Sequence, residues 1–158
     1  MRSMTVVCLA MIIAGSVLPA SSLAGQDAQS RLWDASVAGD TVAISEALAA
    51  GARIDSLDTR RSQNGRRALN WAAFNNRGPA VQLLLARGAS MNLVNLTGFT
   101  PVHHAAEAGA IDALRILIAA GADLTIPNAS GNLPIDTARE RGHVAAVEVL
   151  NAPRKAGN

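Results

Sequence analysis

The chain alternates between short alanine-rich segments and segments in which larger apolar residues recur at positions i, i+3 and i+4. That spacing places side chains on one face of an α-helix, so each such segment is predicted to bury one side. The four apolar stripes are Ile44/Ala47/Leu48, Val81/Leu84/Leu85, Leu114/Leu117/Ile118 and Val147/Leu150. Because alanine lets helices approach closely, the pattern predicts four packed pairs of helices, each with a short first helix and a striped second helix.

Glycines separate these helix pairs at a fixed interval. Gly65, Gly98 and Gly131 lie 33 residues apart, and a related sequence follows each of them. A period of this size indicates stacked supersecondary units rather than one globular core. Four such copies are enough to bury a continuous core, whereas fewer than three are not.

The first copy is out of step with the others. Gly51 and Gly88 occupy equivalent positions but lie 37 residues apart, so four residues are inserted between the first two copies. We predict that residues 58–61, Asp-Thr-Arg-Arg, are the insert and lengthen a hairpin there.

The third copy carries a specific motif. Residues 98–106, GFTPVHHAA, and residues 121–124, GADL, resemble the motif G-x-T-P-L-H-x-A-A…G-A-D of ankyrin repeats. Thr100 suits the cap of a helix, and Pro101 suits its first turn. The resemblance covers residues 28–153 and is weakest in the first copy. In the second copy Arg67 replaces the capping threonine, so that helix is expected to start without a side-chain cap.

The resemblance implies an all-α solenoid of four helix-turn-helix repeats joined by short β-hairpin loops. The predicted repeats are residues 28–57, 62–94, 95–127 and 128–153, and residues 154–158 form a short tail.

The first 24 residues have the features of a secretory signal peptide. Arg2 supplies a positive charge, an apolar run follows, and small residues precede a cleavage site after Ala24, with Ala20 as the alternative. Retention of this segment as an anchor stays open, although the apolar run is shorter than a bilayer requires. The chain is therefore expected in the periplasm or secreted, without stable membrane insertion after cleavage. Its single cysteine, Cys8, would be removed.

Charge and aromatic content argue against nucleic acid as a partner. Without Arg2 the chain has 13 basic residues (Lys+Arg) against 12 acidic ones (Asp+Glu), and it contains two Phe, two Trp and no Tyr. It has neither the basic field nor the stacking platform that nucleic-acid binding needs.

Three histidines are the candidates for metal or haem ligation. His103 and His104 are adjacent and point about 100° apart on a helix, so they are poorly placed to share a metal. The resemblance implies that His103 bridges neighbouring repeats, while His104 points toward a groove. His143 lies further along the chain. We expect structural or surface roles, no cofactor and no metal. No catalytic arrangement is recognisable in the sequence.

Two glycosylation-like tripeptides begin at Asn95 and Asn128, one repeat apart. Because Asn, Ser and Thr are favoured in turns, we interpret both tripeptides as turns.

In the ankyrin family partners dock on the concave face, which is formed by the hairpin tips and the first helices. Carried over by position, the partner-binding residues are Arg66, Trp71, Phe74, Asn75, Leu96, Phe99, His104, Glu107, Asn132, Glu140 and Arg141. A second candidate surface is a basic finger at the insert, made of Arg60, Arg61, Arg66 and Arg67. Aromatic residues and arginine are typical interface anchors. Two alternatives to binding stay open. Trp71 could pack between copies one and two, and the basic finger could be a solvated loop.

These features predict a monomeric, non-catalytic adaptor that binds another protein. Two alternatives stay open. One is a toxin-neutralising or enzyme-inhibiting protein whose finger and aromatic residues enter a partner's cleft. The other, suggested by the family resemblance, is an accessory factor in haem- or catalase-linked protection from oxidative stress.

Overall fold

A computed structural model describes residues 20–61 and 63–152 of the 158-residue chain. This part of the chain forms eight α-helices and no β-strand. The helices are α1 (Ala20–Ala38), α2 (Thr41–Ala49), α3 (Ala68–Phe74), α4 (Gly78–Ala86), α5 (Pro101–Ala108), α6 (Ile111–Ala119), α7 (Pro134–Glu140) and α8 (Val144–Asn151). They form the four predicted pairs.

The helix pairs stack in chain order. The first helices α1, α3, α5 and α7 pack in one row, and the second helices α2, α4, α6 and α8 pack in a second row behind them. The all-α solenoid is therefore confirmed.

Most of the predicted signal peptide and the whole predicted tail lie outside the described residues. Only residues 20–24 of the signal peptide are described, and they form the start of α1. Among the described residues, no helix combines the length and the apolarity that a membrane crossing requires.

The apolar stripes form one core that runs through all four copies. Ile44, Val81, Leu114 and Leu117 are fully buried, as the helical period predicts, and Leu150 is buried in the last copy. Alanines of the first helices complete this core at Ala72, Ala73, Ala105, Ala106 and Ala138. Because alanine has no bulky side chain, adjacent first helices can pack closely.

Helix α5 begins as its sequence predicts. The hydroxyl of Thr100 accepts a hydrogen bond from the His103 amide at 3.4 Å, and Pro101 occupies the first turn. In the second copy Arg67 precedes α3 and makes no side-chain capping bond, which confirms the expected missing cap. Arg67 instead donates to the carbonyls of Asp55 (2.9 Å) and Val94 (2.7 Å). It therefore ties the start of α3 to the neighbouring loops.

The hairpins between copies are narrow turns closed by main-chain bonds. Asn95 N donates to Phe99 O, and Asn128 N donates to Asn132 O, each at 2.9 Å. Gly98, with φ +79°, is required where two hairpins meet, because a Cβ atom there would lie 2.5 Å from the Ala129 nitrogen.

The inserted residues follow Asp58 and do not include it. Asp58 pairs with Arg66 in an antiparallel bridge, as Asn95 pairs with Phe99 in the next hairpin. The Asp58 carboxylate also accepts a hydrogen bond from the amide two residues on, at Arg60, just as the Asn95 side chain accepts one from Thr97. The predicted insert of residues 58–61 therefore needs correction: the four extra residues lie between Asp58 and Arg66.

Asn70 is a polar residue left unsatisfied in the core. It takes the position in the second copy that His103 takes in the third, and its side chain is fully buried. Within the described part of the chain, neither polar atom of the Asn70 amide has a hydrogen-bond partner. His103, by contrast, contacts Thr100 Oγ1 at 2.8 Å and reaches the carbonyl of Asn132 at 3.1 Å. The second copy lacks this bridge because asparagine is shorter than histidine.

We expect the substitution Asn70→His to raise the free energy of unfolding by about 1 kcal/mol, because it replaces unsatisfied polar atoms with a bridge to the next copy. Urea denaturation monitored by circular dichroism measures this. The converse change, His103→Asn, serves as the control and should destabilise the fold. A less stable Asn70→His variant would contradict this account of the core.

Candidate protein-binding face

The centre of the concave face is the carboxylate of Glu107 on α5. Its Oε1 atom accepts a hydrogen bond from Nη2 of Arg141, in the fourth copy, at 2.9 Å. Its Oε2 atom lies 3.5 Å from Nη2 of Arg66, in the second copy. Oε2 also lies 3.4 Å from Nδ1 of His104, one turn earlier on α5. One side chain thus connects copies two, three and four.

The charge on Glu107 is maintained by these neighbours. The contact with His104 and the positive charges of Arg66 and Arg141 hold the pKa of Glu107 below its ordinary value, against the opposing effect of burial. The Glu107 carboxylate is consequently ionised at neutral pH, and it balances part of the positive charge of the two arginines.

Arg66 covers the aromatic side chains of the second copy. Its guanidinium lies 4.2 Å from the ring centre of Phe74 and 4.7 Å from that of Trp71. Burial lowers the pKa of Arg66, and the charge of Glu107 opposes this effect. Cation–π contacts of this kind are worth about 0.5–1 kcal/mol at exposed sites and more where water is excluded. The arginine is therefore positioned by an aromatic floor and an anionic neighbour together.

The three predicted aromatic anchors differ in exposure. Trp71 is only 8% exposed, and its Nε1 donates to Oδ2 of the buried Asp58 at 3.2 Å. It packs between the first two copies, so only a small part of it is exposed to solvent. Phe74 and Phe99 are half-buried, and each lies against the His104 ring, at 6.5 Å and 5.4 Å between ring centres.

The remaining predicted residues lie around this centre. Asn75 is held by the carbonyl of Trp71 at 2.8 Å, and Asn132 Nδ2 donates to Oε1 of Glu140 at 2.6 Å. Leu96, at the tip of the third-copy hairpin, is 64% exposed. Its neighbour Val94, which the sequence reasoning did not select, is 41% exposed. The face therefore combines a fixed charged centre with an exposed apolar tip.

Comparison with known proteins agrees with this architecture. Residues 69–156 match the family model described as ankyrin repeats, three copies. The chain belongs to the ankyrin repeat family. A segment of 86 residues is also 30% identical to the ankyrin repeat domain-containing protein SAT10 of Stachybotrys chartarum. That segment is 54% of this chain and only 4% of the relative, so the likeness is to a small part of a much longer protein.

The first ankyrin copy lies before residues 69–156, which the family model matches, so what supports this copy beyond the sequence is its structure. Helices α1 and α2 pack against each other and against α3 and α4, as the later copies do. In the sequence, this copy is indicated mainly by the positions of its residues relative to those of the later copies.

The basic finger of this ankyrin chain closes onto the first copy. Arg60 makes a hydrogen-bonded ion pair with the buried Asp58 at 2.9 Å. Asp34 on α1 accepts from Arg60 at 3.0 Å and from Arg61 at 2.9 Å. Arg60 also stacks over the ring of Trp33 at 4.7 Å. The sequence grouped these arginines as a basic surface, whereas the structure pairs them with acidic residues of the chain itself.

The histidines lie where they support the stack. His103 is fully buried and bonded as described above, which confirms the bridge that the resemblance implies. His143 Nε2 lies 3.1 Å from the carbonyl of Glu107 and connects the last two copies. His104 is 3% exposed on the inner side of the concave face. Among the described residues, no group of three His, Cys, Asp or Glu side chains is placed to hold a metal ion.

Both tripeptides beginning at Asn95 and Asn128 form turns, as predicted. The amide oxygen of each asparagine accepts from the main chain two and four residues later, and each side chain is more than nine-tenths buried. Near Asn95 a small cavity of about 60 Å³ opens on the concave face. It is lined by Asn64, Arg66, Asn95, Thr97, Phe99, His104 and Glu107.

We expect the two aspartates that hold the finger to differ in their effect on stability. Asp58→Ala should lower the free energy of unfolding by about 2–3 kcal/mol, because it leaves the buried Nε1 donor of Trp71 without its acceptor and removes the carboxylate that holds the guanidinium and main-chain amide of Arg60. Asp34→Ala is the matched control and should cost less than about 1 kcal/mol, since its ion pairs are solvent-exposed. Equal losses in urea denaturation would contradict the assignment of Asp58 as the anchor of the finger.

We expect stability to fall on mild acidification. Burial lowers the pKa of both His103 and His104, so below about pH 6.5 the unfolded chain binds more protons than the folded chain. The contribution of the two neutral histidines to the free energy of unfolding is complete above about pH 6.5. It is lost as the pH falls toward the lowered pKa values that these histidines have in the folded chain. Urea denaturation at pH 7.5 and 5.5 should show this loss, with a smaller loss in His104→Thr. Equal stability of the wild type at both pH values would contradict the effect of burial.

Proposed function

We propose that this ankyrin repeat chain binds another protein through its concave face and acts there without catalysis of its own. Membership of the family makes the chain a protein–protein interaction module, and ankyrin repeats are generally non-catalytic. The observation that supports the concave face is the side-chain network in which Arg66, Glu107 and Arg141 connect three consecutive copies.

This network prepares the face for binding. Side chains that are already held lose little conformational freedom when a partner docks, so more of the contact energy is available for affinity. Arg66 is fixed between Glu107 and the ring of Phe74, and Phe99 is fixed against His103. Arginine and aromatic side chains are also the residue types that most often dominate interface energies.

The apolar part of the contact is proposed to come from the hairpin tip. Leu96 and Val94 are the exposed aliphatic residues beside the charged centre, and a partner that covers them removes apolar surface from water. Because Glu107 balances one of the two arginine charges, the face suits a partner with an apolar segment and a few hydrogen-bonding groups more than a strongly acidic one.

We also propose that the chain works as a monomer in the periplasm or outside the cell. Support for the location comes from residues 1–24, whose charge, apolar run and small residues have the pattern of a secretory signal. Export of the adaptor would place its partner in the same compartment.

The surface can be tested with a charge placed at its exposed tip. Leu96→Asp should abolish or strongly reduce the capture of partner proteins from a periplasmic extract, because a carboxylate would be buried against the partner. Leu96 is exposed, so the variant is expected to fold as the wild type does. Quantitative mass spectrometry of the captured proteins measures the effect.

Val144→Asp is the matched control for this experiment. Val144 is 69% exposed, close to the 64% of Leu96, but it begins the second helix of the last copy, away from the concave face. Its variant should capture the same partners as the wild type. Retained capture by Leu96→Asp, or a loss restricted to Val144→Asp, would exclude the concave face as the binding surface.

A further inference from the structure

The imidazole of His104 is enclosed by groups from three parts of the chain. Its ring lies between Phe74 and Phe99, with Nε2 3.4 Å from Nδ2 of Asn95 and Nδ1 3.4 Å from Oε2 of Glu107. Nδ1 is buried and forms no hydrogen bond with the described residues in this geometry. The histidine therefore connects the third-copy hairpin to the charged centre of the concave face.

The orientation of the Asn95 amide is fixed by the hairpin. Its Oδ1 atom accepts from the main-chain amides of Thr97 at 3.0 Å and Phe99 at 2.8 Å. Both partners are obligatory donors, so the oxygen must face the hairpin and the NH₂ group must face His104. Nε2 of His104 consequently acts as an acceptor. In the neutral ring the proton is then on Nδ1, on the side of Glu107.

Protonation of His104 conflicts with this arrangement. The added proton would be on Nε2, directly opposite the NH₂ group of Asn95, so that two donors would face each other at 3.4 Å. Rotation of the Asn95 amide relieves the conflict by presenting Oδ1 to the imidazolium. The same rotation withdraws Oδ1 from the amides of Thr97 and Phe99.

We propose that His104 and Asn95 form a proton-sensitive latch, which holds the hairpin of residues 95–99 closed while His104 is neutral and loosens it when His104 is protonated. Protonation leaves the main-chain bond from Asn95 N to Phe99 O in place, so the hairpin loosens but stays paired.

The charged groups around the latch determine how readily it opens. Arg66, from the segment before α3, and His103, on α5, disfavour a positive charge on His104, whereas Glu107 on α5 favours it. Arg141, directly after α7, acts through Glu107, which it holds by a hydrogen bond. Burial is the largest effect and lowers the pKa of His104, so the latch opens only at a pH below the ordinary titration range of histidine.

Opening of the latch would alter the proposed binding surface. Leu96 N donates to Asn64 O at 3.0 Å, and Thr97 O accepts from Ala129 N at 3.1 Å, so the hairpin is bonded to the hairpins on both sides. Loss of the Asn95 bonds loosens the segment that carries Leu96 and Phe99. A pH-dependent release of the partner follows, and this consequence alone rests on the proposed function.

The fourth copy contains the same turn without the histidine. Asn128 Oδ1 accepts from the amides of Ser130 at 2.9 Å and Asn132 at 3.0 Å, as Asn95 does one repeat earlier. The position of His104 is occupied there by Thr137, which does not titrate. The chain therefore carries an internal control for any general effect of acid.

The test is residue-resolved amide exchange measured by NMR on the free protein between pH 7.5 and 5.0, with His104 titrated through its imidazole signals. Protection of the Thr97 and Phe99 amides, corrected for intrinsic exchange, should fall about tenfold as His104 becomes protonated, which is the size expected for losing a partly buried hydrogen bond. Protection of Ser130 and Asn132 should stay unchanged. In His104→Thr the two turns should respond to pH alike.

Three results would overturn the latch: titration of His104 while Thr97 and Phe99 keep their protection, an equal loss in both turns, or no titration of His104 before the chain unfolds in acid. Because this measurement needs no partner, its outcome is independent of the Leu96→Asp experiment. The binding surface and the latch can therefore fail separately.

Discussion

Each ankyrin copy in this chain can bury its apolar side chains only against the copies beside it. Ala72, Ala105 and Ala138 occupy one position in three successive first helices, and each is fully buried by its neighbours. Because each repeat provides the same packing environment at this position, the same residue type recurs there in successive repeats. The regular positions of the sequence are thus the positions that stacking constrains most, and variation concentrates on the hairpins and the concave face.

This constraint explains what could be predicted from the sequence. The helix pairs, the core stripes and the cap at Thr100 depend on local pattern or on a position that recurs every repeat, and the bridge from His103 was implied by the family resemblance. Glycine at position 98 was recognisable from the 33-residue period that it shares with Gly65 and Gly131, although only at Gly98 does the next hairpin approach closely. These features need no knowledge of which side chains meet across copies.

The features that the sequence did not predict are pairings between copies. Asp34 meets Arg60 and Arg61 across more than twenty residues, and Trp71 meets Asp58, because the longer finger folds back onto the first copy. The positive charges of Arg60 and Arg61, which the sequence placed in a basic surface, are thereby largely neutralised. Trp71, His104 and Thr137 occupy equivalent positions in three copies, and comparing them in the sequence would have shown that only His104 is titratable. That comparison would not have shown that Asn95 faces His104.

The resulting concave face is organised around one carboxylate that two arginines share. Glu107 is shared by arginines from two other copies and balances one of their two charges. In the proposed function, recognition would therefore depend on shape and short-range contacts more than on long-range electrostatic attraction. Half-buried Phe99 and exposed Leu96 supply the apolar surface next to this charged centre.

The most direct test of this account is hydrogen–deuterium exchange of the chain with and without its captured partner. Binding through the concave face predicts added protection in the hairpin of residues 95–99 and in α3 and α5, with α6 and α8 unchanged. Protection confined to the second helices α4, α6 and α8 would contradict the account.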